Sequence, residues 1–369
     1  MTNNTAVPTV ADRPGLSKFR TPVYLGLIGV ILTAVIALFA YLGGWLTPND
    51  VTPGRFTDVL EQADGLHPGF RRNHAKGLGV FGFFESNGDG ARLSKAAVFR
   101  QGQVPVIGRF SLSGGNPHAA DMSDTVRGLG IQFTTPDGEV WRTAMVNLPV
   151  FPVRTPEAFY ERIKAGMPDA KTGKPDPAKM QAFAEKYPES VKALEVIKSE
   201  HFSAGFENST FHSLNAFRFT NSAGTTTHVR WQLEPLQPFE PIGAGSPTRD
   251  KNFLFDELIA KVNRHPLQWR LKVIVAQPGD AVNDASIPWP KERESVDVGV
   301  LTLDRVESDD TSPSTDITFD PLVLPSGIAP SDDPILSARS AIYSQSFTRR
   351  AGESRQPSPV TPAEVKKGE

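Results

Sequence analysis

Apolar and polar positions change their period several times along the 369 residues of this chain. From Pro22 to Leu46 the run PVYLGLIGVILTAVIALFAYLGGWL carries no charge. At about 1.5 Å per residue, a helix of that length reaches roughly 37 Å, enough to cross a bilayer core of about 30 Å. The run is apolar on all sides, unlike the one-sided stripe of a surface helix. Residues 1–21 before it are polar and are expected to be disordered; residues 47–54 read as a linker. Arg55 to Asp64 reads as a short helix. From Gly77 to about Val153 strand formers dominate. Val104–Leu112 predicts one strand; Gly128–Thr135 and Glu139–Ala144, joined through Pro136-Asp137-Gly138, predict a hairpin. Between 155 and 200 the period becomes helical, with Pro156-Glu157 and Pro188-Glu189 as starts and Val191, Leu194 and Ile197 on one face. Strands return at Ala216–Thr220 and Thr226–Leu233, then at Trp269–Val275 and Val296–Leu303. Residues 351–369 are polar and contain proline, and are expected to form a disordered tail. The pattern predicts an α+β domain over 55–350 built on an antiparallel sheet. Closure into a barrel would remove the sheet's edges, but the pattern alone leaves closure open.

Composition narrows the reading. A net charge of −2 argues against a large nucleic-acid surface, which needs clustered Lys and Arg. The absence of cysteine removes disulfides, iron–sulfur clusters and thiol-based peroxide chemistry. The 23 phenylalanines predict a core rich in aromatic rings. Arg13, Lys18 and Arg20 precede the apolar run and the next basic residue is Arg55, a bias that leaves the N-terminus in the cytoplasm and exports the rest. Tyr24, Tyr41 and Trp45 lie near the ends of the run, as interfacial aromatics do. A cleaved secretory signal is the alternative; the run is long for one, and Phe39-Ala40-Tyr41 is a poor cleavage site. Either way the domain is exported, to a periplasmic or other extracytoplasmic space.

Two distant stretches carry the chemistry: Arg71-Arg72-Asn73-His74-Ala75-Lys76-Gly77 and Arg339-Ser340-Ala341-Ile342-Tyr343. A neutral imidazole can take a proton from one atom and return it to another. Arg339 and Tyr343 are one helical turn apart, so a fixed positive charge can sit beside a phenol. The second stretch is approached through Phe319-Asp320-Pro321, Leu324-Pro325-Ser326-Gly327-Ile328 and Pro330-Ser331. With these residues the chain resembles the catalase superfamily, specifically its short catalase-related peroxidases, from about Gly69 to Arg350. The resemblance implies an antiparallel β-barrel with flanking helices and a buried haem b. It also implies a peroxidase that reduces hydrogen peroxide or organic hydroperoxides with an external electron donor, with residual catalase activity. His74 would be the distal histidine, oriented by Ser111, and Tyr343 the phenolate ligand of ferric iron, supported by Arg339. Arg71, Arg109 and Arg350 would hold the haem propionates, and Phe159 would pack on the haem face.

The departures are specific. Counting back from Pro149 and Arg154 puts Val146 in the slot of the family's distal asparagine; a shift of one residue would put Asn147 there. After Tyr343, Ser344-Gln345-Ser346-Phe347 replaces the usual Pro-Asp-Thr-His. These changes favour peroxidase over efficient disproportionation. Two rival readings stay open: a fatty-acid hydroperoxide isomerase, and a non-catalytic barrel carrying haem or lipid at a membrane. Gly128-Leu129-Gly130 does not continue into a dinucleotide fingerprint, and the seven histidines show no zinc spacing. The oligomeric state is not legible.

Overall fold

A computed structural model of the protein describes residues 20–43, 46–47, 50–169, 171–242 and 250–362. The chain divides into two compact units, Met1–Thr52 and Pro53–Glu369. In the first, helix α1 (Arg20–Leu42) contains the segment Pro22–Tyr41, long and apolar enough to cross a membrane by length and composition. The expected disorder of residues 1–19 and the interfacial position of Trp45 lie outside the described residues.

The second unit opens with α2 (Pro53–Asp64), so a helix begins where the linker was expected to end. Its sheet comprises β1 (Gly77–Ser86), β2 (Gly102–Leu112), β3 (Arg127–Thr134), β4 (Val140–Val146), β5 (Phe211–His212), β6 (Phe217–Thr220), β7 (Thr226–Pro235), β8 (Leu267–Val275), β9 (Ser295–Glu307) and β10 (Ile328–Pro330). Every pairing is antiparallel, and the order β7-β5-β4-β3-β2-β1-β9-β8 returns to β7 through a β7–β8 ladder. That ring is a closed barrel of eight strands, with β6 and β10 as a side extension. Register shifts at Phe81/Gly82 between β1 and β9, and at Leu271/Lys272 between β8 and β9, mark bulges of the kind that bend strands toward closure.

The barrel interior is aromatic, as the phenylalanine count predicts. Phe133 stacks on Trp141 at 4.8 Å, Phe217 lies 4.4 Å from Trp231, and Phe110 meets Phe206, Phe211 and Trp269. Two of the buried indoles find acceptors: Trp231 Nε1 donates to Thr143 Oγ1 at 3.0 Å and Trp269 Nε1 to Ser209 O at 3.1 Å. Helices α3 (Pro156–Gly166), α4 (Pro177–Lys186) and α5 (Pro188–Ser199) fill the β4–β5 connection, each with proline in its first turn. α6 (Phe253–Arg264) packs its apolar face against β9, and α7 (Pro334–Ala351) packs against α2.

The described part of the tail, residues 351–362, differs from the disorder expected over 351–369; residues 363–369 lie outside the described residues. After α7 the chain runs back along the barrel as far as Val360, which is 1% exposed and belongs to the main core. Glu353 accepts from Gly69 N at 2.7 Å, Ser358 N donates to Asp310 Oδ1 at 2.8 Å, and Asn252 Nδ2 donates to Pro359 O at 2.9 Å. The segment is polar because it is a single layer held by its backbone and a few anchors. Composition averages over those anchors and misses them. Val360→Ala is expected to lower unfolding stability by roughly 1–3 kcal/mol in denaturant titration, the cost of removing buried methyl groups. An unchanged midpoint would mean that the tail does not pack.

Candidate functional site

The site starts from a strained turn between α2 and β1. His74 has φ of 57°, a left-handed conformation that a non-glycine residue adopts only when its surroundings enforce it. Asn73 enforces it from one side: its Oδ1 accepts from His74 N at 2.9 Å and from Gly114 N at 2.8 Å. Arg109, on β2, enforces it from the other. Its Nη1 donates to His74 O at 2.9 Å and its Nη2 to Ala75 O at 3.0 Å. The same guanidinium pairs with Asp309, with Nη2 to Oδ2 at 2.6 Å. Gly77 is the condition for this reach, because a Cβ there would overlap the Arg109 guanidinium.

The His74 ring lies against β3, where a Cβ on Gly128 would come within 3.0 Å of it. Its Nδ1 stands 3.0 Å from Ser111 Oγ. Burial pushes the imidazole down to about 3, and the charges of Arg109, Arg339 and Arg71 add to the shift. The ring meets a cavity rather than bulk water, so it is desolvated although part of its surface is accessible. At neutral pH it is therefore a neutral proton acceptor.

The facing element is α7. Asp333 caps its start, accepting from Ile335 N at 2.9 Å. Nearly two turns on, Arg339 Nη2 donates to Ala144 O at 2.7 Å and to Tyr343 Oη at 3.3 Å, while Nη1 donates to Asn215 Oδ1 at 2.7 Å. Asn215 Nδ2 in turn donates to Asp333 Oδ2 at 2.8 Å. Burial raises the Asp333 carboxyl, an effect that the Asn215 bond partly offsets. The phenol thus lies at the end of a chain of hydrogen bonds that begins at a buried acid.

His74 and Tyr343 line one cavity, with about 340 Å³ open to the centre of a water molecule. Ser111, Arg71, Arg109, Phe159, Arg339 and Arg350 line it too. Arg71 Nη2 is held by the carbonyls of Ser314 and Ile317, at 3.1 and 3.0 Å. Arg350 Nη1 donates to Thr315 O at 2.6 Å, while its Nη2 is buried without a partner. Burial and the charges of Arg109 and Arg350 lower Arg71; burial, then Arg109, lowers Arg350 to about 10. Burial alone would raise Asp309, but Arg109, Arg71 and Arg350 outweigh it and hold the carboxyl below the usual range.

One expected residue is not there. Asn147 is buried but turned away from the cavity: Oδ1 accepts from Arg127 N at 2.8 Å, and its own N–H donates to Arg127 O. Val146, the last residue of β4, lines the cavity, whereas Asn147 lies in the bend just past the strand, where its two bonds to Arg127 hold it. Arg109 also departs from expectation, with four of its five N–H groups already committed to His74, Ala75 and Asp309. Asp309 and Asn215 carried no sequence signal, because each acts on a partner more than 100 residues away; Asp333 is legible only as a helix cap, not as the partner of Asn215. Gly77 did stand within the histidine motif and Gly128 at the start of an expected strand, and the reason for each is steric.

The family model described as catalase matches residues 60–367. The chain belongs to the catalase family. It is 37% identical to a catalase-related peroxidase of Synechococcus elongatus, over 88% of this chain and 96% of that one. It is 32% identical to a catalase-related peroxidase of Mycolicibacterium paratuberculosis, over 83% and 96% respectively. Among solved structures, a fungal catalase superposes with a TM-score of 0.69 at 21% identity, covering 78% of this chain and 60% of that one, a likeness of fold. The protein is an oxidoreductase of the peroxidase and catalase type, in a family whose members are in general haem enzymes.

The lowered His74 has a measurable sign. Its folded value lies below the unfolded one, so between about pH 6.5 and pH 3 the unfolded chain binds the extra proton and stability falls as pH falls. His74→Gln removes that contribution. Relative to the variant, the wild type is expected to lose on the order of 2 kcal/mol between pH 6.5 and 5, read from paired urea titrations. Parallel pH profiles for the two proteins would contradict the buried neutral imidazole.

Proposed function

We propose that this protein is a haem b peroxidase that reduces hydrogen peroxide or organic hydroperoxides with an external small-molecule electron donor. One observation carries the reading: a neutral imidazole and an arginine-paired phenol line the same cavity, beside an excess of buried positive charge. Arg71, Arg109 and Arg350 share one largely buried carboxylate, Asp309, and so leave two positive charges in excess. Arg350 Nη2 is a buried donor without an acceptor. Haem b carries two propionates, so the residues present fit it in both charge and hydrogen bonding. Arg71 and Arg350 would take the propionates. Arg109 contributes charge, but most of its donors brace the His74 turn. Tyr343 would supply an anionic oxygen ligand, with Arg339 donating to it.

When bound, the ferric haem supplies the electron-accepting and electron-donating centre at which the O–O bond is cleaved. The protein's part is proton transfer and exclusion. For His74 Nε2 to present a lone pair, the ring proton must sit on Nδ1 and be donated to Ser111 Oγ. Nε2 then takes the hydroperoxide proton and returns it to the leaving oxygen. Over the full cycle the peroxide gains two electrons and two protons from the donor, leaving as alcohol (or water) and water. Phe159 and the apolar wall keep bulk water from the reacting oxygens. The helix α1 supports a single-pass anchor in the inner membrane, with the catalytic domain on the extracytoplasmic side.

An absorption spectrum of the purified protein tests this directly. A haem band is expected, and Tyr343→Phe is expected to lose or shift it. His74→Gln should keep the band and lose about 10²–10⁴-fold in peroxide turnover. Colourless protein from cells supplied with porphyrin precursor, or full turnover in His74→Gln, would end the proposal.

A further inference from the structure

The segment that leaves α7 lies where its polar sequence gives no hint of a role. Arg355, Gln356, Pro357 and Ser358 line a second cavity together with Arg71, Arg109 and Arg350, with about 330 Å³ open to the centre of a water molecule. The same three arginines line the cavity that His74 and Tyr343 share. The cationic end therefore has two sides. One faces the reacting groups, and the other is walled by the returning chain. Arg350 is 7% exposed there, and the charge of Arg355 adds to the repulsion that its guanidinium already feels from Arg109.

The segment is pinned at both ends and exposed between them. At the near end Glu353 pairs with Arg72 and accepts from Gly69 N at 2.7 Å. Gly69 has φ of 81°, and a Cβ on it would stand 2.8 Å from Ser354 O, so only glycine lets the segment lie this close. At the far end Ser358 N donates to Asp310 Oδ1 at 2.8 Å, Asn252 Nδ2 donates to Pro359 O at 2.9 Å, and Val360 is buried in the core. Residues 354–357 are exposed, and the pair that Arg355 makes with Asp316 is exposed on both sides, so it contributes little. A segment held by a few end anchors opens locally at far less cost than the barrel unfolds. We propose that residues 353–360 form a strap that closes the cationic end over bound propionates, and that its lifting governs the loss of the prosthetic group. With the strap down, the donors of Arg71 and Arg350 meet carboxylates away from water. With it lifted, water competes for those donors. The coupling is reciprocal: carboxylates at the arginines relieve the repulsion between Arg350 and Arg355, so occupancy also holds the strap down. The proposal rests on the haem reading and adds a moving part to it.

The chain contains no cysteine, so a single introduced thiol is a clean reporter. Ser358→Cys places it in the strap at a position 7% exposed, and Ser86→Cys, at a position 2% exposed in β1, reports opening of the barrel. In the purified full-length protein, a thiol reagent is expected to label position 358 about tenfold or more faster than position 86, and haem should slow labelling at 358 by about tenfold. Asp310→Ala removes the acceptor of Ser358 N without touching the barrel. Its transfer of haem to excess apomyoglobin should be about tenfold faster than that of the wild type, the range for a hydrogen bond to a charged group. Charge alone predicts the reverse, because losing an acid from the cavity of the three arginines favours bound carboxylates. Asp310→Asn keeps an acceptor and should transfer haem no faster than the wild type. Equal transfer by Asp310→Ala and the wild type, or a rate raised equally in both variants, overturns the strap. So does labelling at 358 that is as slow as at 86, or that is indifferent to haem while the haem band is present. Protein that takes up no haem shows no band at all; that result overturns the haem reading, and the strap's role with it, and the spectrum tells the two failures apart.

Discussion

Three guanidinium groups converge on one carboxylate, and the rest of the site is arranged around that imbalance. Asp309 cannot neutralise Arg71, Arg109 and Arg350 together: Arg109 and Arg350 lower the proton affinity of Arg71, and Arg109 lowers that of Arg350. The same field reaches His74, where Arg109 and Arg71 add to burial in keeping the imidazole neutral. A base and an anion-binding end are thus one electrostatic object. Filling the cationic end with two carboxylates would relax the repulsion among the arginines and ease the field at His74, so occupancy and basicity are coupled.

That object is useful only if its two sides keep their distance, and they belong to segments about 270 residues apart. Charge holds them together. Arg72, two residues before His74, donates to Glu61 at 2.6 Å and pairs with Glu353. Glu61 also accepts from Arg349 on α7 at 2.8 Å, and Arg72 N donates to Ser346 Oγ, one turn past Tyr343. α2 and the returning tail therefore clamp the histidine turn to the tyrosine helix. Because Arg72 is buried and shared between two acids, removing either acid would leave a buried charge less compensated, so the clamp's parts depend on one another.

Motif and pattern reached far into this molecule where the signal was local. The hairpins followed from β formers around a Pro-Asp-Gly turn, and Arg339 and Tyr343 from helical spacing. What stayed hidden was non-local or conformational. Asn147 looked like a polar residue one place from the needed slot, but it lies just past the end of β4, where bonds to the Arg127 backbone hold its side chain. Asp309, Asn215 and Asp333 are ordinary acids and amides until the fold brings their partners across. The tail looked disordered because Val360 is one buried side chain among many polar neighbours. Closure needed the β7–β8 ladder, a pairing that no single strand announces.

The arginines also divide by what they answer to. Arg109 is largely spent: braced by Asp309, it holds a left-handed histidine in place through the carbonyls of His74 and Ala75. Arg339 is occupied in another sense, suspended between Asn215, Ala144 and the Tyr343 hydroxyl so that its orientation is fixed before any ligand arrives. Neither can adapt without loosening the residue it serves, so both act by preorganisation.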